Sequence, residues 1–355
     1  MNRTVEHCSR TGSTIVWLGE EGFDVAHCYF TAESWADDAH IVLARMADRK
    51  HSTASELWLV DIRTGEAHFL TDRAFWSSYI VQDGSVYHTT EHDIWKTPLD
   101  TGKTELLWHG DTRYQLDGPP SMTADGRYFS AYWREADGRT SINRFDLKTG
   151  QMEEFLKIKF DEPFPVANHC MLNPQNGDQM FFSHEGICQY ITNRLWLADY
   201  PSHTAHNLFR QRLDAEGNNG EPCGHEMWGA DGKGIFFVKY ISTTILPGGV
   251  WYFDLAENSA KLIGAGYKYW HVASAPDGRC AAADTQIGGS FSEVVYLDPD
   301  RKVEQVVAIA PTDWVHPTHP HPRFSPDGRK ICFAALDENG RTRLGITDIS
   351  HLVHS

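Results

Sequence analysis

A turn motif that recurs seven times constrains the fold of this chain more than any other feature. Each copy is an Asp- or Asn-containing dipeptide followed by a short apolar run of β type. The seven turns are Asp37-Asp38, Asp83-Gly84, Asp125-Gly126, Asn176-Gly177, Asp231-Gly232, Asp277-Gly278 and Asp327-Gly328. Their spacing of about 40 to 55 residues is typical of the four-stranded blades of a β-propeller. The sequence therefore predicts an all-β fold, a seven-bladed β-propeller.

Segments near the two termini predict how the ring closes. Residues 14–18 have the pattern of an outer blade strand without an inner partner, and the last repeat ends near Asp348, one strand short. We expect residues 14–18 to pair with residues 344–348, because closure leaves no free strand edge. The predicted organisation is a single propeller domain over residues 1–355.

Composition limits the binding partners that the protein can have and indicates its cellular compartment. A net charge of −16 disfavours nucleic acid and anionic membranes, which require a basic surface. The seven cysteines are scattered and include no C-x-x-C pair, and the N-terminus has no apolar signal segment, so we expect reduced thiols in a cytoplasm. No run approaches the roughly 20 apolar residues of a membrane helix. The sequence says nothing about oligomeric state.

Histidines occupy one equivalent position in four consecutive repeats. His225, His271 and His321 each precede the turn aspartate by six residues, and His169 precedes Asn176 by seven. A single histidine at such a position is most simply a packed channel residue. Four in register predict a function at the propeller axis, where the innermost strands converge.

The last repeat adds further histidines beside this register. His319 and His321 lie two residues apart in a proline-rich segment, so an extended backbone directs both side chains to one side. His316 lies within reach one turn earlier. Together with His271 of the neighbouring blade, these rings predict a site of three or four nitrogens suited to Mn, Fe, Ni, Cu or Zn.

Motifs in the second half of the chain resemble the oligogalacturonate lyases, seven-bladed propellers that cleave small pectin fragments by β-elimination. The matching segments are His184-Glu185-Gly186, Arg194-Leu195-Trp196, Cys223-Gly224-His225-Glu226-Met227-Trp228, the stretch from His271 to Gly278, and the stretch from His319 to Gly328. They fall within residues 165–335, whereas the first 160 residues match only as propeller repeats. The resemblance implies a small acidic oligosaccharide as substrate and pectin degradation as the context.

The resemblance also implies a cofactor. In the family, the residues that match His271, His319 and His321 bind manganese together with a glutamine. His316 stands at the place of that glutamine. We therefore expect a divalent metal, Mn²⁺ by resemblance, with His316 as a fourth ligand.

Catalytic roles follow from the same resemblance. The family's base falls on His225 and its catalytic arginine on Arg194. We expect His184 and His169 to contact substrate and to be the next candidates for the base. Two further departures concern the substrate: the segment between Arg194 and His225 is longer than usual, and Ile187-Cys188 stands where the family continues with proline.

Three hypotheses about function follow from these residues. The first is a metal-dependent lyase that converts short uronate oligosaccharides to 4,5-unsaturated products. The second is another metal-dependent carbohydrate eliminase or epimerase on the same scaffold. The third is a non-catalytic interaction scaffold, which the histidine register and the absence of a W-D signature both disfavour.

Overall fold

The computed structural model describes residues 1–50 and 54–353, which form 28 β-strands in seven sheets. The strands of the first half are β1 (Asn2–His7), β2 (Thr14–Gly19), β3 (Asp24–Ala26), β4 (His40–Met46), β5 (Ala54–Asp61), β6 (Ala67–Phe75), β7 (Tyr79–Gln82), β8 (Ser85–Thr89), β9 (Asp93–Pro98), β10 (Glu105–His109), β11 (Tyr128–Arg134), β12 (Thr140–Asp146) and β13 (Gln151–Ile158).

The strands of the second half are β14 (Val166–Asn173), β15 (Asn176–Glu185), β16 (Leu195–Asp199), β17 (Thr204–Phe209), β18 (Cys223–Trp228), β19 (Gly234–Lys239), β20 (Gly249–Asp254), β21 (Ser259–Gly264), β22 (Tyr269–Ser274), β23 (Ala281–Thr285), β24 (Phe291–Asp298), β25 (Val303–Pro311), β26 (Arg323–Phe324), β27 (Lys330–Leu336) and β28 (Thr342–Asp348). Residues 51–53 and 354–355 of the predicted domain lie outside the described residues, and the single-domain organisation stays a prediction.

Six of the seven sheets are antiparallel blades built from consecutive strands, and the seventh combines strands from the beginning and the end of the described chain. Blade one is β3–β6, blade two β7–β10, blade three β11–β13, blade four β14–β17, blade five β18–β21 and blade six β22–β25, while blade seven contains β26–β28. A bridge between Met122 and Phe129 marks the innermost edge of blade three, beside β11. The predicted seven-bladed all-β propeller is confirmed.

The N-terminal segment closes the ring as the sequence predicts. In blade seven, β2 pairs with β28, so that Ile15 lies opposite Thr347 and Leu18 opposite Leu344. Strand β1 then adds a fifth, outermost strand through its pairing with β2. The two ends of the described chain are thereby joined by backbone hydrogen bonds.

One predicted turn is displaced. Asn173 pairs directly with Asn176, so the hairpin of blade four turns at Pro174-Gln175 and not at Asn176-Gly177. The Asn173 side chain accepts a hydrogen bond of 2.9 Å from the N–H of Gln175, and proline supplies the φ that this turn needs. Gly177 instead leaves room for a neighbouring aromatic ring.

The apolar core lies between successive blades. Val238 and Val250 of blade five pack in one buried cluster with Val272 and Val295 of blade six, and other blades meet in similar clusters. This packing holds the inner strands in fixed positions around the axis. In the described part of the chain, no helix has the length and apolar character needed to cross a membrane.

Candidate metal centre and active site

The four histidines in register lie on or beside the inner strands of blades four to seven. The strand pairing shifts register at His169, His225 and His271, which marks a bulge in each of these blades. The φ angles of His169, His225 and His321 are 51°, 52° and 46°. A left-handed conformation is costly for a residue other than glycine, and its recurrence at equivalent positions is typical of functional sites.

Three of the predicted metal ligands form one cluster. One ring nitrogen from each of His271, His319 and His321 lies within 4.8 Å of the other two. The Nε2 atoms of His271 and His321 are 3.3 Å apart. Asp284 orients the site, because it accepts a hydrogen bond of 2.9 Å from His271 Nδ1 and one of 3.0 Å from the His321 backbone N–H.

The chemistry of this cluster fits a divalent metal ion. Both ring nitrogens of His319 are buried and find no hydrogen-bond partner among the described residues, an arrangement that costs free energy unless something binds them. Burial lowers the pKa of His271 and of His321 well below the usual value, so both rings are neutral at physiological pH. Neutral imidazole is the form that coordinates a metal.

His316 lies beside this cluster. Its ring centroid is 4.1 Å from that of His319, and the ring stacks on Trp76 with centroids 5.5 Å apart. Burial lowers the pKa of His316 to about 4, so this ring is neutral as well. The position is compatible with the predicted fourth ligand, which stays a prediction.

His225, the predicted base, adjoins the histidine cluster. Its ring centroid lies 4.1 Å from that of His271 and 4.8 Å from that of Trp270. Its Nδ1 atom is buried without a hydrogen-bond partner in the described part of the chain. Burial, with a smaller contribution from His271, lowers the pKa of His225 well below its usual value. The ring is therefore a neutral proton acceptor.

A cavity of about 580 Å³ opens on His225. Its lining includes Tyr29, Asn168, His169, Glu185, Arg194, His225, Tyr240 and Trp270. A second cavity of about 540 Å³, near the turns of blades six and seven, has no histidine in its described lining. The first cavity is therefore the candidate active site.

Arg194, the predicted catalytic arginine, is buried beside two carboxylates. Its Nε donates a short hydrogen bond to Glu226, and its Nη1 and Nη2 each lie 3.3 Å from an oxygen of Glu185. His169 Nδ1 lies 3.4 Å from Glu226. Burial opposes both charges, but the ion pair outweighs it: the pKa of Glu226 is lowered and that of Arg194 is raised.

The backbone N–H of His184 donates a hydrogen bond of 2.8 Å to the carbonyl oxygen of Arg194, but His184 is not among the described residues that line the 580 Å³ cavity. Its Nδ1 is 2.8 Å from Asn193 Oδ1 and its Nε2 is 2.7 Å from the carbonyl oxygen of Phe164. The ring also stacks on Phe160, with centroids 3.8 Å apart. Since both ring nitrogens are already bonded, the structure gives no support to a direct contact between His184 and substrate.

Sequence reasoning missed several residues of the site. Tyr29 comes from blade one, and its ring centroid lies 4.9 Å from that of His321. Glu185, Glu226 and Asp284 provide the carboxylates around Arg194 and the histidine cluster. Glu185 and Glu226 stand inside the matched motifs, which is a usable signal, whereas nothing in the local sequence marks Tyr29 or Asp284.

Fold and site together define a seven-bladed β-propeller with a histidine cluster next to an arginine-containing cavity. The fold is shared with solved structures. An oligogalacturonate lyase in complex with manganese superimposes with a TM-score of 0.84, covering 98% of this chain and 96% of the other at 18% identity. The oligogalacturonate lyase from Vibrio parahaemolyticus gives a TM-score of 0.83 with the same coverage and identity.

Sequence comparison confirms the resemblance to oligogalacturonate lyases. The oligogalacturonide lyase of Pectobacterium atrosepticum is 25% identical over 225 residues, and the oligogalacturonate lyase of Dickeya dadantii is 25% identical over 228 residues. Each alignment covers 58% of this chain and 54% of the relative, so the chain spans about half the length of these curated relatives. No family model matches the chain.

Proposed function

We propose that this chain is a metal-dependent lyase that cleaves short oligogalacturonides by β-elimination and leaves a 4,5-unsaturated uronate. The observation that carries the proposal is the placement of Arg194 and His225 in the lining of one cavity. The ring of His225 also contacts the ring of His271, a member of the histidine cluster. The curated relatives named as lyases of this type support the same substrate class.

The metal would be held by His271, His319 and His321, with His316 as the proposed fourth ligand. The manganese complex of a structural relative supports Mn²⁺ as the ion. A divalent cation bound there would act as a Lewis acid and stabilise negative charge that develops on the substrate carboxylate. Asp284 fixes the His271 ring so that Nε2 faces the other ligands.

In this proposal, Arg194 binds the substrate and His225 removes the proton. Arg194 binds the uronate carboxylate, and its fixed positive charge favours the enolate-like transition state. His225, neutral because it is buried, takes the C5 proton. The C5–H electrons form the C4=C5 double bond, the C4–O bond breaks and the departing oxygen takes up a proton. His169, bonded to Glu226, is proposed to contact the substrate.

An eliminase or epimerase for another acidic sugar is the second candidate. Two departures from the family favour it: the longer segment between Arg194 and His225, and Ile187-Cys188 where the family continues with proline, of which Cys188 lines the cavity. The activity is further proposed to be cytoplasmic, in line with seven free cysteines and no disulfide among the described residues.

Product analysis by mass spectrometry tests the proposal and separates the candidates. A lyase splits trigalacturonate into fragments whose masses sum to that of the substrate, and one fragment is unsaturated. A hydrolase adds one water to that sum, and an epimerase leaves the chain length unchanged. Hydrolysed or epimerised products would overturn the lyase proposal.

A further inference from the structure

Carboxylates of this chain occupy both donor edges of the Arg194 guanidinium. Glu226 accepts from Nε and, at 3.5 Å, from Nη2. Glu185 accepts from Nη1 through one oxygen and from Nη2 through the other, each at 3.3 Å. The edge formed by the two Nη atoms is the one that an incoming carboxylate would engage with two parallel hydrogen bonds. A ligand carboxylate can therefore reach that edge only by displacing one of these residues.

The two carboxylates differ in how firmly they are held. Glu226 is fully buried and also contacts His169 Nδ1. The Glu185 side chain is 33% exposed, lies in the cavity lining and otherwise accepts a 3.2 Å hydrogen bond from the N–H of Gly186. Removing Glu226 from the arginine would leave a buried charge unpaired, which is strongly unfavourable. Glu185 can turn toward the solvent that fills the cavity.

The local charge also favours replacement of Glu185 by the ligand carboxylate over binding of a third carboxylate beside it. Two carboxylates already face one guanidinium, so a third would bring the local charge to −2 and meet repulsion from both. If Glu185 leaves as the ligand carboxylate arrives, the local charge is unchanged. A neutral sugar offers only uncharged oxygen acceptors, which cannot replace the charge of Glu185 on the arginine.

We propose that Glu185 holds, in the free protein, the position on Arg194 that the substrate carboxylate takes, and that it departs when substrate binds. The proposal rests on the proposed function, because it assumes a uronate ligand at Arg194. Glu185 is then a binding-site residue that competes with the substrate carboxylate for Arg194: it lowers the affinity of ligands that use this edge of the guanidinium and does not affect ligands that do not use it.

Calorimetric titration with free D-galacturonate tests this exchange, because the monosaccharide has no glycosidic bond to cleave. The Glu185→Gln variant keeps the size of the side chain and its acceptor for Gly186 but loses the charge. Glu56→Gln is the matched control, since Glu56 is also a partly exposed carboxylate paired with an arginine, 2.6 Å from Arg45, and is absent from the lining of the cavity. D-Galactose serves as the neutral ligand.

We expect Glu185→Gln to lower the dissociation constant for galacturonate by about two- to fivefold, the size expected when a partly exposed ion pair no longer competes. Galactose affinity and the Glu56→Gln variant should match the wild type. Unchanged or weakened galacturonate binding in Glu185→Gln overturns the proposal, and so does the absence of galacturonate binding by either protein.

The same proteins distinguish this proposal from the proposed function. If galacturonate binds and Glu185→Gln tightens it, but the wild type forms no unsaturated product from trigalacturonate, the lyase assignment fails and the exchange at Arg194 stands. If the wild type forms that product and Glu185→Gln binds galacturonate no better, the lyase assignment stands and the exchange is wrong.

Discussion

The Nδ1 atom of His271 lies 2.9 Å from the carboxylate of Asp284, which leaves Nε2 of the same ring 3.3 Å from Nε2 of His321. The carboxylate thus sets both the tautomer and the direction of a predicted metal ligand. It also accepts from the backbone N–H of His321, so one buried acid positions two ligands.

The first prediction concerns this acid. Asp284→Asn should keep the fold but weaken metal affinity by about 10- to 100-fold, the usual effect of removing a group that orients a ligating histidine. Metal content after dialysis and a competition titration with a chelator measure the affinity. His321→Ala should retain no tightly bound metal. Undiminished loading of His321→Ala would show that the metal lies elsewhere.

The second prediction separates the base from the ligands. His225→Ala should bind metal like the wild type but lose turnover by about 10²- to 10⁴-fold, because a positioned proton acceptor typically contributes that much. His206→Ala, which replaces an exposed histidine on β17, is the control and should behave like the wild type. Loss of metal from His225→Ala would instead assign His225 to the coordination sphere.

The third prediction concerns the buried ion pair of Arg194 and Glu226. Arg194→Met should lower the free energy of unfolding by about 3–5 kcal/mol, because it leaves the Glu226 charge buried and unpaired. The double variant Arg194→Met/Glu226→Gln should regain most of that loss while remaining inactive. Urea unfolding of the three proteins supplies the comparison. Equal stability of the single and double variants would contradict a dominant charge–charge interaction.

Some features of the fold and the site can be predicted from the sequence, and others cannot. The recurring turns predict seven blades because an Asp-Gly hairpin is a local property, and Ile15–Leu18 predicts its own partner because the last repeat lacks a strand. The register of His225 and His321 is visible for the same local reason. The turn at Pro174-Gln175 could not be predicted, because the neighbouring dipeptide Asn176-Gly177 is an equally favourable turn sequence.

Contacts between distant segments could not be read from the sequence. Glu226 meets Arg194 across 32 residues, and Tyr29 reaches His321 from the first blade. The bulge that gives His225 its positive φ depends on how β18 pairs with β19. Such contacts follow from the closure of the ring and leave no periodic signal in the chain.

The fourth prediction is a pH dependence of stability that arises from His27. This ring is buried, its Nε2 lies 3.3 Å from the carbonyl oxygen of Pro320, and burial lowers its pKa to about 4. Between the ordinary value of about 6.5 and about 4, the unfolded chain binds more protons than the folded chain, so the free energy of unfolding falls as pH falls.

His27→Gln removes that titration and should keep the hydrogen bond to Pro320. Between about pH 7.5 and about pH 5, the wild type should lose about 2 kcal/mol more of its unfolding free energy than the variant. Urea denaturation at the two pH values measures the difference. Parallel losses in the two proteins would mean that His27 does not titrate in this range on unfolding.

If the histidine cluster and the cavity beside it form a lyase site, the protein produces a conjugated uronate from trigalacturonate only while metal is bound. The most direct test is the ultraviolet absorbance of trigalacturonate incubated with purified protein, before and after removal of metal by a chelator and after Mn²⁺ is restored. We expect rising absorbance from a conjugated 4,5-unsaturated uronate, its loss with the chelator, its return with Mn²⁺ and a rise at least about 10² times slower with His225→Ala. No absorbance change with metal-loaded wild-type protein, or an equal rise with His225→Ala, would contradict this expectation.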